Sequence, residues 1–68
     1  MIGTRITTFR KQKKMSQNEL GVLTNLDQTL ISRIERGQRK VTADEITLFA
    51  KALGVSVAEL LDEEEQTA

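Results

Sequence analysis

Gln28, Thr29, Ser32 and Arg33 lie on one side of a short helical pattern, with Leu30, Ile31 and Ile34 on another, directly after Asn25-Leu26-Asp27. The polar set combines an amide, two hydroxyls and a guanidinium. A surface helix that has only to stay solvated needs no such combination. A helix that reads the edges of nucleic-acid bases does, because those edges are distinguished by their pattern of donors and acceptors. Which description fits depends on the rest of the chain.

The formal net charge of zero hides a division. Residues 1–40 hold nine basic side chains (Arg5, Arg10, Lys11, Lys13, Lys14, Arg33, Arg36, Arg39, Lys40) against Glu19, Asp27 and Glu35, a balance of +6. Residues 41–68 hold Lys51 against seven acids, a balance of −6. Asymmetry of this kind points to an anionic partner for the basic half.

At 68 residues the chain is one domain near the lower limit for independent folding. It contains no cysteine and no histidine, which excludes disulfide staples and Cys/His zinc sites. Stability must come from helix packing, capping or a partner subunit. Without His, Cys or Tyr, catalysis would fall to carboxylates, lysines or hydroxyls. The acids sit at helix starts or in the tail, and there is no glycine-rich phosphate loop, so an enzyme is not expected. Neither a cofactor, a metal nor a small-molecule ligand is evident. No apolar run approaches the ~20 residues of a membrane span, and the N-terminus lacks a signal-peptide core, so a cytoplasmic protein is expected.

The elements that must position Gln28 to Arg33 are legible in the punctuation. Ser16-Gln-Asn-Glu19, Thr42-Ala-Asp-Glu45 and Ser56-Val-Ala-Glu59 each match the capping box, in which a hydroxyl accepts from the N3 amide and the glutamate reaches back. Asp27 is a good N-cap for a fourth start. Gly37, Gly54 and Asn25 can take the left-handed conformation that ends a helix. Apolar spacing at three and four residues (Ile2, Ile6, Phe9; Leu20, Leu23; Ile31, Ile34; Ile46, Phe49, Ala50, Leu53; Val57, Leu60, Leu61) completes the pattern. The spacing predicts an all-α domain over 1–62, with five helices near 2–14, 17–24, 28–36, 43–53 and 57–62. Residues 63–68 are expected to form a frayed acidic tail. Helices two and three, separated by Asn25-Leu26-Asp27, must cross steeply, with Gly21 allowing close approach and Leu20, Leu26, Ile31 and Ile34 facing inward. That is a helix-turn-helix, whose second helix can enter the major groove.

The run MSQNELGVLTNLDQTLISRIERGQR, Met15 to Arg39, resembles the lambda-repressor-like (Cro and repressor, or Xre) helix-turn-helix family. The likeness extends to Ile2-Gly-x-Arg-Ile before it and Leu53-Gly-Val-Ser-Val-x-Glu-Leu-Leu61 after it. In size, restriction-modification controller proteins and small phage or sporulation-type repressors are the nearest members. The resemblance implies four or five helices and dimeric binding to a palindromic double-stranded DNA operator. The chain departs from the family at Gly21 (usually Ala), Thr24 (usually apolar), Asn25 and Lys14 (both usually Gly).

Carried over position by position, the resemblance makes Gln28 the first residue of the recognition helix, suited to adenine N6 and N7. Thr29 is placed to touch a thymine methyl or a phosphate. Arg33 matches a base-reading position whose chemistry suits guanine O6 and N7, with Ser32 secondary. Gln17 would anchor a phosphate at the start of helix two, and Arg36, Gln38, Arg39 and Lys40 would line the backbone beside the groove. Arg10 and Glu35 match positions that form an internal ion pair. Arg5, Lys11, Lys13 and Lys14 are expected to contribute long-range field. Leu48, Val57, Leu60 and Leu61 are candidates for a homodimer interface that sets two recognition helices about 34 Å apart. RNA polymerase is a further candidate partner. The competing reading is an antitoxin- or adaptor-like interaction module that uses the same fold without strong sequence-specific DNA binding.

Overall fold

The computed structural model describes residues 2–61. Over that range the chain forms α1 (Ile2–Gln12), α2 (Gln17–Thr24), α3 (Gln28–Glu35), α4 (Ala43–Leu53) and α5 (Val57–Leu61), with no strand. Three helices start as the capping boxes require. The Ser16, Thr42 and Ser56 hydroxyls accept from the amides of Glu19, Glu45 and Glu59 at 3.0, 3.2 and 3.0 Å. The three glutamates in turn accept from the Ser16, Thr42 and Ser56 amides. Asp27 caps α3 by accepting from the Thr29 amide at 3.1 Å.

The first four helices end in the same way. Lys14, Asn25, Gly37 and Gly54 have φ of 56°, 60°, 75° and 69°, and the residue after each donates its amide back across the last turn. Met15 donates to Arg10, Leu26 to Gly21, Gln38 to Arg33 and Val55 to Ala50, at 2.8–3.0 Å. This is the Schellman closure, which satisfies carbonyls the helix leaves open. Two of the four left-handed residues are glycine; Lys14 and Asn25 carry a Cβ there and bear its cost. The closure at Lys14 also explains why α1 stops at Gln12, short of the expected residue 14. The expected ends of α3 and α5 run one residue past Glu35 and Leu61; Asp62 and the acidic tail lie outside the described residues.

The core is a single cluster of Ile6, Leu20, Ile31, Ile34, Phe49, Ala50, Leu53 and Leu60. Ile2, Phe9, Met15, Leu26, Val41 and Ile46 pack at its edge. Two sequence expectations are corrected. Leu23 is 56% exposed, because the inward face of α2 continues from Leu20 to the residue four further on, Thr24. Thr24 tolerates complete burial by donating its hydroxyl to the Leu20 carbonyl at 2.8 Å. Leu60, placed among the dimer candidates, is fully buried between its own helices and offers no surface to a second copy.

Candidate nucleic-acid interface

Everything that presents α3 depends on its tight approach to α2. Gly21 faces the turn so closely that a Cβ there would meet the Leu26 carbonyl oxygen at 2.6 Å. On the far side, a Cβ on Gly3 of α1 would overlap the Ile34 carbonyl oxygen. Glycine at both positions lets α1 and α2 close on α3, while Ile31 and Ile34 anchor its inner face and Leu30 is half-buried. The remaining face carries Gln28, Thr29 and Arg33, all exposed, with Ser32 half-buried beside them. Among the described residues, none of these four side chains has a hydrogen-bond or ion-pair partner.

The other arginines contrast with Arg33. Arg10 donates from Nε to Glu35 Oε2 at 2.7 Å and from Nη2 to Oε1 at 3.1 Å, with Nη1 on the Met15 carbonyl at 2.7 Å. The expected internal pair is therefore present, and it ties α1 and the α1–α2 turn to the end of α3. Burial alone would raise the Glu35 pKa. Hydrogen bonds from Arg10 and Gln17, with the Arg10 charge, outweigh that and hold the carboxyl below its ordinary range. Arg5, expected only to contribute field, grips the Glu59 carbonyl at 3.0 and 2.7 Å and lies over the Phe9 ring at 5.2 Å. It ties α5 to α1.

The expected phosphate-binding set divides in two. Gln38 and Lys40 are exposed beyond α3, and their side chains have no partner among the described residues. Arg36 is exposed and, among the described residues, reaches back only to the Ser32 carbonyl of α3, at 3.3 Å. Gln17 and Arg39 are engaged within the protein. Gln17 donates to Glu35 Oε1 at 3.1 Å. Arg39 forms a two-pronged pair with Glu45 at 2.9 and 3.0 Å, and this pairing lowers the Glu45 pKa. A sequence signal for the Arg39 pair did exist: the Thr42 capping box turns the Glu45 carboxylate back toward the preceding loop.

The helix-turn-helix family model matches residues 6–60 of the chain. Control protein C.BamHI of Bacillus amyloliquefaciens is 43% identical over 63 residues, which cover 91% of this chain and 78% of that protein. Among solved structures, the restriction-modification controller protein C.AhdI of Aeromonas hydrophila superposes with a TM-score of 0.84 at 37% identity, covering 87% of this chain and 89% of that one. The SinR/SinI protein complex gives 0.90 at 35% identity over 100% of this chain and 67% of that one. By sequence match, by relatives along almost its full length and by fold, the chain belongs to the lambda-repressor-like helix-turn-helix family.

Proposed function

We propose that the chain is a sequence-specific, double-stranded DNA-binding transcriptional regulator that lays α3 in the major groove. The observation that carries this reading is the free polar edge of α3. Gln28, Thr29 and Arg33 stand exposed without partners among the described residues, whereas Arg5, Arg10, Arg36 and Arg39 each donate to a group of the protein itself. Arg33 suits guanine and Gln28 suits adenine. Gln17, Arg36, Gln38, Arg39 and Lys40 supply the flanking phosphate contacts, with Gln38 and Lys40 the readiest. The kinship with controller proteins supports the regulatory role.

Leu48, Val57 and Leu61 are exposed on α4 and α5, and they form the self-contact of a two-fold dimer on a palindromic operator. The interaction-module reading also has an observation in its favour, since Val22 is 74% exposed and Leu23 56% on the outer face of α2. Titration of fluorescent duplex at several salt concentrations separates the two. A DNA reader gives log K falling with log salt by about 0.9 per phosphate neutralised, and a shallower slope for Lys40→Ala. Weak binding that ignores sequence and is unchanged by Gln28→Ala supports the interaction module instead.

A further inference from the structure

The Glu35 carboxylate serves two donors from different helices, and only one of them is the arginine of the ion pair. Oε1 accepts from both Arg10 Nη2 and Gln17 Nε2, each at 3.1 Å, while Oε2 accepts from Arg10 Nε at 2.7 Å. The Glu35 side chain is 6% exposed, so this hydrogen bond is shielded from competing water. We propose that Glu35 is a positioning residue for DNA binding: it fixes the Gln17 amide so that its remaining N–H is presented to a backbone phosphate. This rests on the DNA-binding reading above and assigns Glu35 a role beyond holding the helices together.

The Glu35 carboxylate decides the orientation of the Gln17 amide. A glutamine amide carries two N–H donors and one carbonyl acceptor. One donor of Gln17 is spent on Glu35. Turning the amide over would set its carbonyl oxygen against the carboxylate, so the flipped state is disfavoured by like partial charges. The second N–H and the carbonyl have no partner among the described residues. Gln17 is also the first residue of α2, where the Ser16 capping box takes the Glu19 amide and leaves the Gln17 and Asn18 amides open. Arg10 Nη1 on the Met15 carbonyl holds the backbone just before that helix start. A phosphate contact from Gln17 is therefore preorganised by a side chain at the far end of the recognition helix, and the spacing between that contact and α3 is fixed by one carboxylate.

The test is a mutant cycle on DNA affinity, using the duplex recovered by selection from a random pool and a scrambled duplex of equal length. Glu35→Gln should weaken both duplexes alike, by roughly two- to tenfold, the size expected when one side chain must be ordered on binding. In a Gln17→Ala background the same change should have no further effect. An equal loss in both backgrounds, a loss confined to the selected duplex, or unchanged affinity in Gln17→Ala overturns the proposal. If the wild-type protein selects no sequence and binds every duplex weakly, the DNA-binding reading itself has failed and takes this proposal with it. Side-chain amide NMR of the wild-type protein needs no variant to fold. Of the two Gln17 Nε2 protons, one should shift strongly on adding duplex and the other should hold its Glu35-bonded position. Loss of both, or movement of neither, contradicts the assignment.

Discussion

Arg10 Nε and Glu35 Oε2 lie 2.7 Å apart and join the last turn of α1 to the last turn of α3, with side chains only 11% and 6% exposed. Taking both charges out of water is costly, and the cost is offset because Met15 and Gln17 occupy further hydrogen-bonding positions. Removing one partner leaves a buried charge behind. Arg10→Met should therefore cost about 3 kcal/mol or more in urea unfolding, while Arg10→Met combined with Glu35→Leu should cost clearly less. A double variant as unstable as the single one would show that the pair stabilises as a pair and not by avoiding an orphan charge.

The same carboxyl sets an acid limit. Glu35 and Glu45 both titrate below their ordinary range, the former against its own burial and the latter through Arg39 first. A depressed folded pKa contributes stability that is fully present above the unfolded pKa and is lost as pH falls through the folded one. The melting temperature should stay level from neutral pH to about 5 and fall below about 4.3, the ordinary glutamate value. In Glu35→Gln the fall should be shallower. An equally steep acid limb in that variant would place the linkage elsewhere.

Lys14 ends α1 at a φ of 56°. An L-residue in that conformation carries a penalty of about 1–2 kcal/mol that glycine avoids. Part of the gain is offset by glycine's larger loss of backbone entropy on folding. Lys14→Gly should raise stability by about 1 kcal/mol, a rise of about 4–8 °C in melting temperature for a domain of this size. Asn25→Gly should gain less, since asparagine already tolerates the left-handed region. No gain at Lys14, or a larger gain at Asn25, would contradict the closure described for the two turns.

Leu48, Val57 and Leu61 remain exposed on the single chain. If they join two copies, sedimentation at tens of micromolar should give a dimer, and Leu61→Glu should give a folded monomer with much weaker operator affinity. A wild-type monomer at high micromolar concentration would rule out that interface.

Most of the architecture is readable in the chain because it is written in local rules. Capping boxes, left-handed stops and apolar spacing each act within a few residues, and all five helices start where those rules place them, with α2 and α4 also ending there. What stayed hidden depends on partners distant in sequence. Nothing local tells that Leu60 is fully buried while Leu61 beside it is open. Leu23 and Thr24 are exchanged between surface and core because the facing angle of a two-turn helix is set by its neighbours. The commitments of Gln17 and Arg5 are equally tertiary: their partners, Glu35 and Glu59, lie 18 and 54 residues away. The polar face of α3 was legible, because Ile31 and Ile34 fix which side must turn inward.

Selection of bound duplexes from a random pool, with wild type, Gln28→Ala and Arg33→Ala run in parallel, reports whether α3 reads bases. The wild type should recover two inverted half-sites spaced about one helical turn, 10–10.5 base pairs, apart. Each variant should lose preference at one symmetric pair of positions, at a cost of about 1–3 kcal/mol per lost base contact. A wild-type pool without enriched sequence, or variants that recover the unchanged motif, would contradict a reading face built from Gln28 and Arg33.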